Sequence, residues 1–228
     1  MSKKKVDQAD NLQELESVLT KTEQFIEDNQ KIISYVVGSI IIVVAAYLGF
    51  SKLYLQPKQD EALSQMFMAE NYFEKDSFNL AINGDGNYLG FLDIIDDYGI
   101  TKAANLAKYY TGISYLNLGQ YEEALDYLNN FKTKDLLLAP VAEGAKGDAY
   151  LELGEQDKAL KQYKKAYTTS DNELTTPIYM MKAATLLESM DELENALGLY
   201  QDIKKKYPTS TEATNADRYI ARIKIKLN

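Results

Sequence analysis

The sequence predicts an all-α protein in which one transmembrane helix precedes an α-solenoid of stacked helix pairs. Three observations carry this. Residues 32–51 form a run of twenty without a single charged side chain. Beyond that run, Gly, Tyr and Ala positions recur at an interval of 35 residues. Around those positions the apolar residues keep the three- and four-residue spacing of helices.

Composition narrows the function first. The chain has 228 residues, with 25 Lys and Arg against 34 Asp and Glu, a net charge of −9, and no His, Cys or Trp. Without imidazole or thiol there is no Ser-His-Asp or Cys-His nucleophile and no Cys/His zinc site. Disulfides are excluded, and an acidic balance argues against nucleic acid, whose binders carry a basic stripe. There is no P-loop, dinucleotide fingerprint or metal-ligand spacing. The expectation is a protein that binds proteins, is not an enzyme and takes no cofactor.

Three segments follow from the charge pattern: a tail over 1–31, an anchor over 32–52 and a repeat domain over 53–228. Leu12, Leu15, Val18, Leu19, Thr22, Phe25 and Ile26 fall on one helical face of the tail, and Asp10 with Gln13 resembles a capping box. An acidic polar face disfavours anionic lipid and favours a protein contact. Twenty helical residues cover the roughly 30 Å hydrocarbon core, and Tyr35, Tyr47 and Tyr54 lie towards its ends, where amphipathic rings settle. Thirty-one residues precede the run and no small-x-small site follows it, so it reads as an uncleaved anchor. Lys3, Lys4, Lys5, Lys21 and Lys31 outnumber the nearby Lys52 and Lys58, which places the tail in the cytoplasm and the repeats outside.

The repeats set the fold. Gly112, Tyr115, Leu118, Gly119 and Ala124 reappear as Gly147, Tyr150, Leu153, Gly154 and Ala159. A weaker copy runs through Ala184, Leu187, Met190, Leu193, Ala196, Tyr200 and Pro208, with the slack in a loop around Thr168–Thr176. Each copy reads as two helices joined by a tight turn. The small residues at 112 and 124 mark the helix crossing, Gly119 and Gly154 the left-handed helix end, and Tyr115 and Tyr150 the filling between helices. Spacing and residue types resemble the tetratricopeptide repeat, well over 105–167 and fairly over 177–208. They depart from it where Lys108 and Glu143 replace a large aromatic.

An earlier copy is interrupted. Asp60–Lys75 supplies its first helix, with Ala69 and Tyr72 in the small and aromatic places, and Tyr88–Tyr98 its second, with Gly90 at the close-packing position. Ala69 to Gly90 spans 21 residues where the other copies have 12, so about nine are inserted. The inserted Asn83–Asn87 stretch fails the EF-hand pattern, with Tyr88 and Ile94 in the places of Gly and Glu, and reads as a turn-rich linker or, more loosely, as a partner-contact loop. Asp93, Asp96 and Asp97 read as a solvated face, and Lys204–Lys206 as cations at a helix end. Ser210–Leu227 supplies a capping helix, with Tyr219, Ile220, Ile223 and Leu227 inward and Arg218, Arg222, Lys224 and Lys226 outward.

In such a solenoid the first helix of each pair lines the concave side. The groove candidates are Met66, Glu70 and Phe73, then Tyr109 and Asn117, then Asp148 and Glu152, and finally Met181, Thr185 and Glu188. Tyr and Met give tolerant apolar contact, and the carboxylates favour Lys- or Arg-bearing partners. A short tail, one anchor and an acidic repeat domain together resemble the YfgM-like family, ancillary subunits of the bacterial Sec translocon. The stretch Glu23–Lys31 is similar to that family's approach to the membrane, and the inserted loop resembles a Bacteroidetes-type variant. The resemblance implies an inner-membrane protein with a periplasmic repeat domain, whose partners are translocon subunits, periplasmic chaperones or unfolded client segments. The alternative is an adaptor for another envelope or secretion complex.

Overall fold

The computed structural model describes residues 23–227, whose regular elements are all helices, without strands. Most of the amphipathic tail pattern, including Asp10 and Gln13, lies outside the described residues; Phe25 and Ile26 are exposed in a helical stretch over 23–28. The chain divides into two compact units between Pro57 and Lys58.

In the first unit, α1 (Gln30–Gly49) carries the uncharged run and buries none of its residues. It is long and apolar enough to cross a membrane. Its Ser39 hydroxyl donates to the Tyr35 carbonyl at 2.8 Å, so the polar group is satisfied within the helix, as a hydrocarbon environment demands. The π-helical stretch Phe50–Leu55 follows, where the rings of Phe50 and Tyr54 lie 5.4 Å apart.

The second unit is a series of helix pairs. α2 (Gln56–Glu74) leads to a short α3 (Phe78–Asn83) and then to α4 (Phe91–Asp97). Three regular pairs follow: α5 (Lys102–Asn117) with α6 (Tyr121–Asn130), α7 (Leu138–Glu152) with α8 (Gln156–Thr169), and α9 (Thr176–Ser189) with α10 (Leu193–Lys206). α11 (Thr211–Leu227) closes the series. First helices of successive pairs are neighbours, α5 of α7 and α9 of α11.

Every first helix stops in the same way. The Ser77, Gln120, Glu155 and Glu192 amides donate to the Tyr72, Tyr115, Tyr150 and Leu187 carbonyls at 2.8–2.9 Å, closing one wide terminal turn per pair. The residue before each donor has positive φ: Gly119 and Gly154 at 76°, but Asp76 at 55° and Asp191 at 64°. An added Cβ at Gly154 would meet nothing within 4 Å, so Gly154→Ala isolates the conformational cost. It is expected to lower stability by about 1 kcal/mol, read as a shifted denaturation midpoint at constant slope; an unchanged midpoint would contradict the assignment.

The interrupted copy differs from the sequence expectation. Its second helix starts at Phe91, not Tyr88. Gly90 is the N-cap, its amide donating to Asp93 Oδ2 at 3.0 Å, and a Cβ there would lie 2.2 Å from the Ile82 carbonyl oxygen. The inserted residues include α3, whose Ala81 and Ile82 are buried. Asp85 takes the Tyr72 hydroxyl at 2.8 Å and the Asn87 and Tyr88 amides at 2.9 and 2.8 Å, which closes the loop onto α2. These donors hold the Asp85 carboxyl below its usual range, the Tyr72 hydroxyl most of all. In α11, Ile223 is fully buried and Tyr219 and Ile220 half-buried, while Leu227 is exposed rather than inward.

Candidate protein-binding cleft

The predicted groove residues separate into three groups. Met66 does not reach the surface: at 1% exposure it belongs to the core with Ala62, Ala69 and Phe91. Phe73 is half-buried with edge contacts to Phe78, Phe91 and Tyr110, and Tyr109 packs on Tyr110 and Phe131. Burial, helped by the Glu74 charge, pushes the Glu70 carboxyl above its usual range, with the Tyr110 hydroxyl working the other way. These side chains knit α2, α4 and α5 together. Asn117 is exposed and donates to its own helix at 2.8 Å. Glu152 is exposed and accepts from the Tyr121 hydroxyl at 3.4 Å.

The remaining four gather on α7 and α9. Asp148, Met181 and Thr185 line an open cleft of about 370 Å³ together with Leu151, Tyr163, Lys182, Leu186 and Ser189. Glu188 lies one turn beyond Thr185. The backbone makes the cleft possible. Gly144 and Gly147 leave α7 bare on one side, where added Cβ atoms would fall 1.9 Å from Tyr179 and 2.5 Å from Tyr163. Tyr163 therefore packs close against α7 and sends its hydroxyl to Asp148 Oδ1 at 2.7 Å. Lys182 Nζ reaches both Asp148 oxygens at 2.7 Å and sits 5.8 and 5.9 Å from the ring centres of Tyr163 and Tyr179. Burial, then the Asp148 carboxylate, pushes the Tyr163 hydroxyl far above its usual range, so it remains a donor.

Asp148 and Glu188 are thus both ion-paired within the protein. Glu188, whose side chain is 7% exposed, receives Arg222 at 2.7 Å and Lys226 at 3.1 Å from α11. The cleft offers apolar wall, hydroxyls and neutralised pairs, and the unpaired acidic groove of the sequence reading is not what α7 and α9 present. Burial alone would raise the Glu188 carboxyl, but Arg222 and Lys226 outweigh it and hold the group below its reference value of 4.5. A depressed folded-state pKa stabilises above the unfolded value and is lost as pH falls through the folded one. Glu188→Gln should therefore lose less stability than the parent between neutral pH and the region below 4.5; parallel losses would show the pair to be idle.

Tyr163, Lys182 and the pairing of Arg222 escaped sequence reasoning, although for the two ion pairs a signal existed. Asp148–Lys182 and Glu188–Arg222 are each separated by 34 residues, so opposite charges one repeat apart meet across adjacent first helices. A second depression of about 500 Å³, lined by Leu160, Tyr167, Glu192 and Leu199 among others, lies on the second-helix side between α8 and α10.

The chain carries tetratricopeptide repeats: the family model described as tetratricopeptide repeat matches residues 106–135 and 179–210. No curated protein sequence matches the chain. Among solved structures, a point variant of nearly identical TPR-like repeats from a kinesin light chain of Podosopora anserina shares the fold, with a TM-score of 0.56 and 13% identity. The match covers 72% of this chain and 85% of that one. Repeats of this type take protein partners, so the chain is a protein-interaction scaffold.

Proposed function

We propose that the chain is a non-catalytic scaffold, anchored in a bacterial inner membrane through residues 32–52, that receives a protein segment in the α7–α9 cleft. Its place is beside the Sec translocon, with the tail cytoplasmic and the repeats periplasmic, linking emerging clients to periplasmic chaperones. The observation that carries this reading is the pairing, in one chain, of an apolar helix that buries no residue with a repeat unit holding an open, apolar-walled cleft. The Lys bias of the tail supports the orientation, and the resemblance to the YfgM-like family supports the translocon as the neighbour. Met181 and Leu151 suit a tolerant apolar contact with unfolded segments. Crosslinking in intact membranes followed by purification should recover translocon or chaperone subunits. Subunits of a different envelope complex, recovered reproducibly in their place, would replace this reading with an adaptor for that complex.

A further inference from the structure

Among the described residues, Lys146 is the one charged residue that is buried, with its side chain 9% exposed. Burying an ammonium costs free energy unless its three donors find acceptors. The protein supplies one, Glu143 Oε1, a turn earlier on α7 at 3.2 Å. Lys165 reaches the same oxygen from α8 at 2.9 Å. The other oxygen, Glu143 Oε2, is buried and meets no donor among the described residues. A buried carboxylate is thus loaded on one oxygen only, beside an ammonium with donors to spare.

Both groups line a pocket of about 180 Å³ between α7 and the loop that follows α6. Glu143 stands where the repeat pattern carries a large aromatic ring, so a shorter polar side chain leaves room there. Phe131, Ala139 and Ala142 give the pocket an apolar wall, and Lys132 and Thr133 close it from the loop. That loop is fixed. Asn105 exchanges two bonds with the Lys132 backbone, at 2.8 and 3.1 Å, and the Asp135 amide donates to Thr133 Oγ1 at 3.0 Å. Asp135 Oδ1 in turn accepts from the Leu138 and Leu137 amides, both at 2.8 Å, which hold its carboxyl below the usual range. The lining itself carries two cations, Lys132 and Lys146, against one carboxylate, Glu143, a surplus of one positive charge.

From this arrangement we infer that the pocket binds a small 2-hydroxy carboxylate of the size of lactate. The ligand's carboxylate accepts from Lys146 Nζ, its hydroxyl donates to Glu143 Oε2, and its alkyl end lies against Phe131, Ala139 and Ala142. Its single negative charge cancels the surplus of the lining, and both bonds involve a charged partner, the stronger kind. A water takes up about 30 Å³ in the liquid, so the pocket has room for a molecule of several heavy atoms. A carboxylate without the hydroxyl would leave Glu143 Oε2 bare. A 2-amino acid, with no net charge, would leave the surplus standing and bring a third cation to Glu143. The pocket shares no lining residue with the α7–α9 cleft, so the inference is independent of the function proposed for that cleft.

Saturation-transfer difference NMR on the full-length protein in detergent micelles, read against empty micelles, tests this. The probes are sodium lactate and sodium propionate, which differ by the hydroxyl alone. Lactate should receive saturation from the protein and propionate much less. Lys146→Met, which removes the ammonium and keeps an unbranched side chain, should abolish the lactate signal. Ala142→Leu, which fills the pocket and touches neither charge, should abolish it as well, while Lys161→Met on the exposed face of α8 should leave it unchanged. No transfer to lactate in the parent, or equal transfer to propionate, would overturn the inference without any variant. A lactate signal that survives Lys146→Met or Ala142→Leu, with helicity by circular dichroism intact, would overturn it too.

Discussion

Tyr163→Ala should destabilise the repeat domain by about 3–5 kcal/mol, the range for removing a buried aromatic ring. The side chain is 2% exposed and fills the space that Gly147 leaves on α7. With no side chain at 147, nothing on that helix can collapse into the hole. Tyr163→Phe keeps the ring and loses only the 2.7 Å bond to Asp148, which still holds Lys182; its cost should be about 1 kcal/mol. Solenoid stability is a sum of local units and their interfaces. Loss at the α7–α8 pair should therefore uncouple the pairs on either side and broaden or split the unfolding transition of the Ala variant. Denaturation of the full chain in detergent, followed by circular dichroism, separates the outcomes. Equal losses for Ala and Phe would mean that the ring does not support the cleft.

Ile41→Arg combined with Val44→Arg should remove the protein from the membrane. Each Arg near the centre of a spanning helix costs about 2.5–3.5 kcal/mol on insertion scales, and each replaced aliphatic residue forfeits roughly 0.3–0.6 kcal/mol besides. Both native side chains are exposed along α1, at 61% and 49%, so neither change disturbs packing within the described residues. After alkaline extraction the parent should stay in the membrane pellet and the double variant should move to the soluble fraction, with the helicity of the repeats intact. A variant that stays in the pellet would mean that 32–51 is not what holds the protein there.

What could be read in the sequence was whatever glycine and repeat spacing encode. The helix ends at Gly119 and Gly154 and the crossings at Gly112 and Gly147 follow from single residue types with few alternative uses. The nine-residue insertion followed from counting, yet α3 within it did not, because six residues carry too little periodicity to declare a helix. Asp76 and Asp191 occupy the same left-handed place as Gly119 and Gly154, but an aspartate there looks like any turn residue. Met66 failed for a geometric reason. On a first helix the groove arc and the core arc are adjacent, and a one-residue difference in phase separates them. The ion pairs failed for another reason: pairing depends on contact between successive first helices, which spacing within one helix does not reveal.

The central claim is that the α7–α9 cleft receives a protein segment beside a membrane. A photo-activatable amino acid at Thr185, in the exposed mouth of the cleft, compared with one at Lys161 on the exposed face of α8, tests it in intact membranes. Position 185 should give discrete adducts with translocon, chaperone or exported polypeptides, and position 161 none of these. No adduct from 185, or the same adducts from both positions, would contradict it.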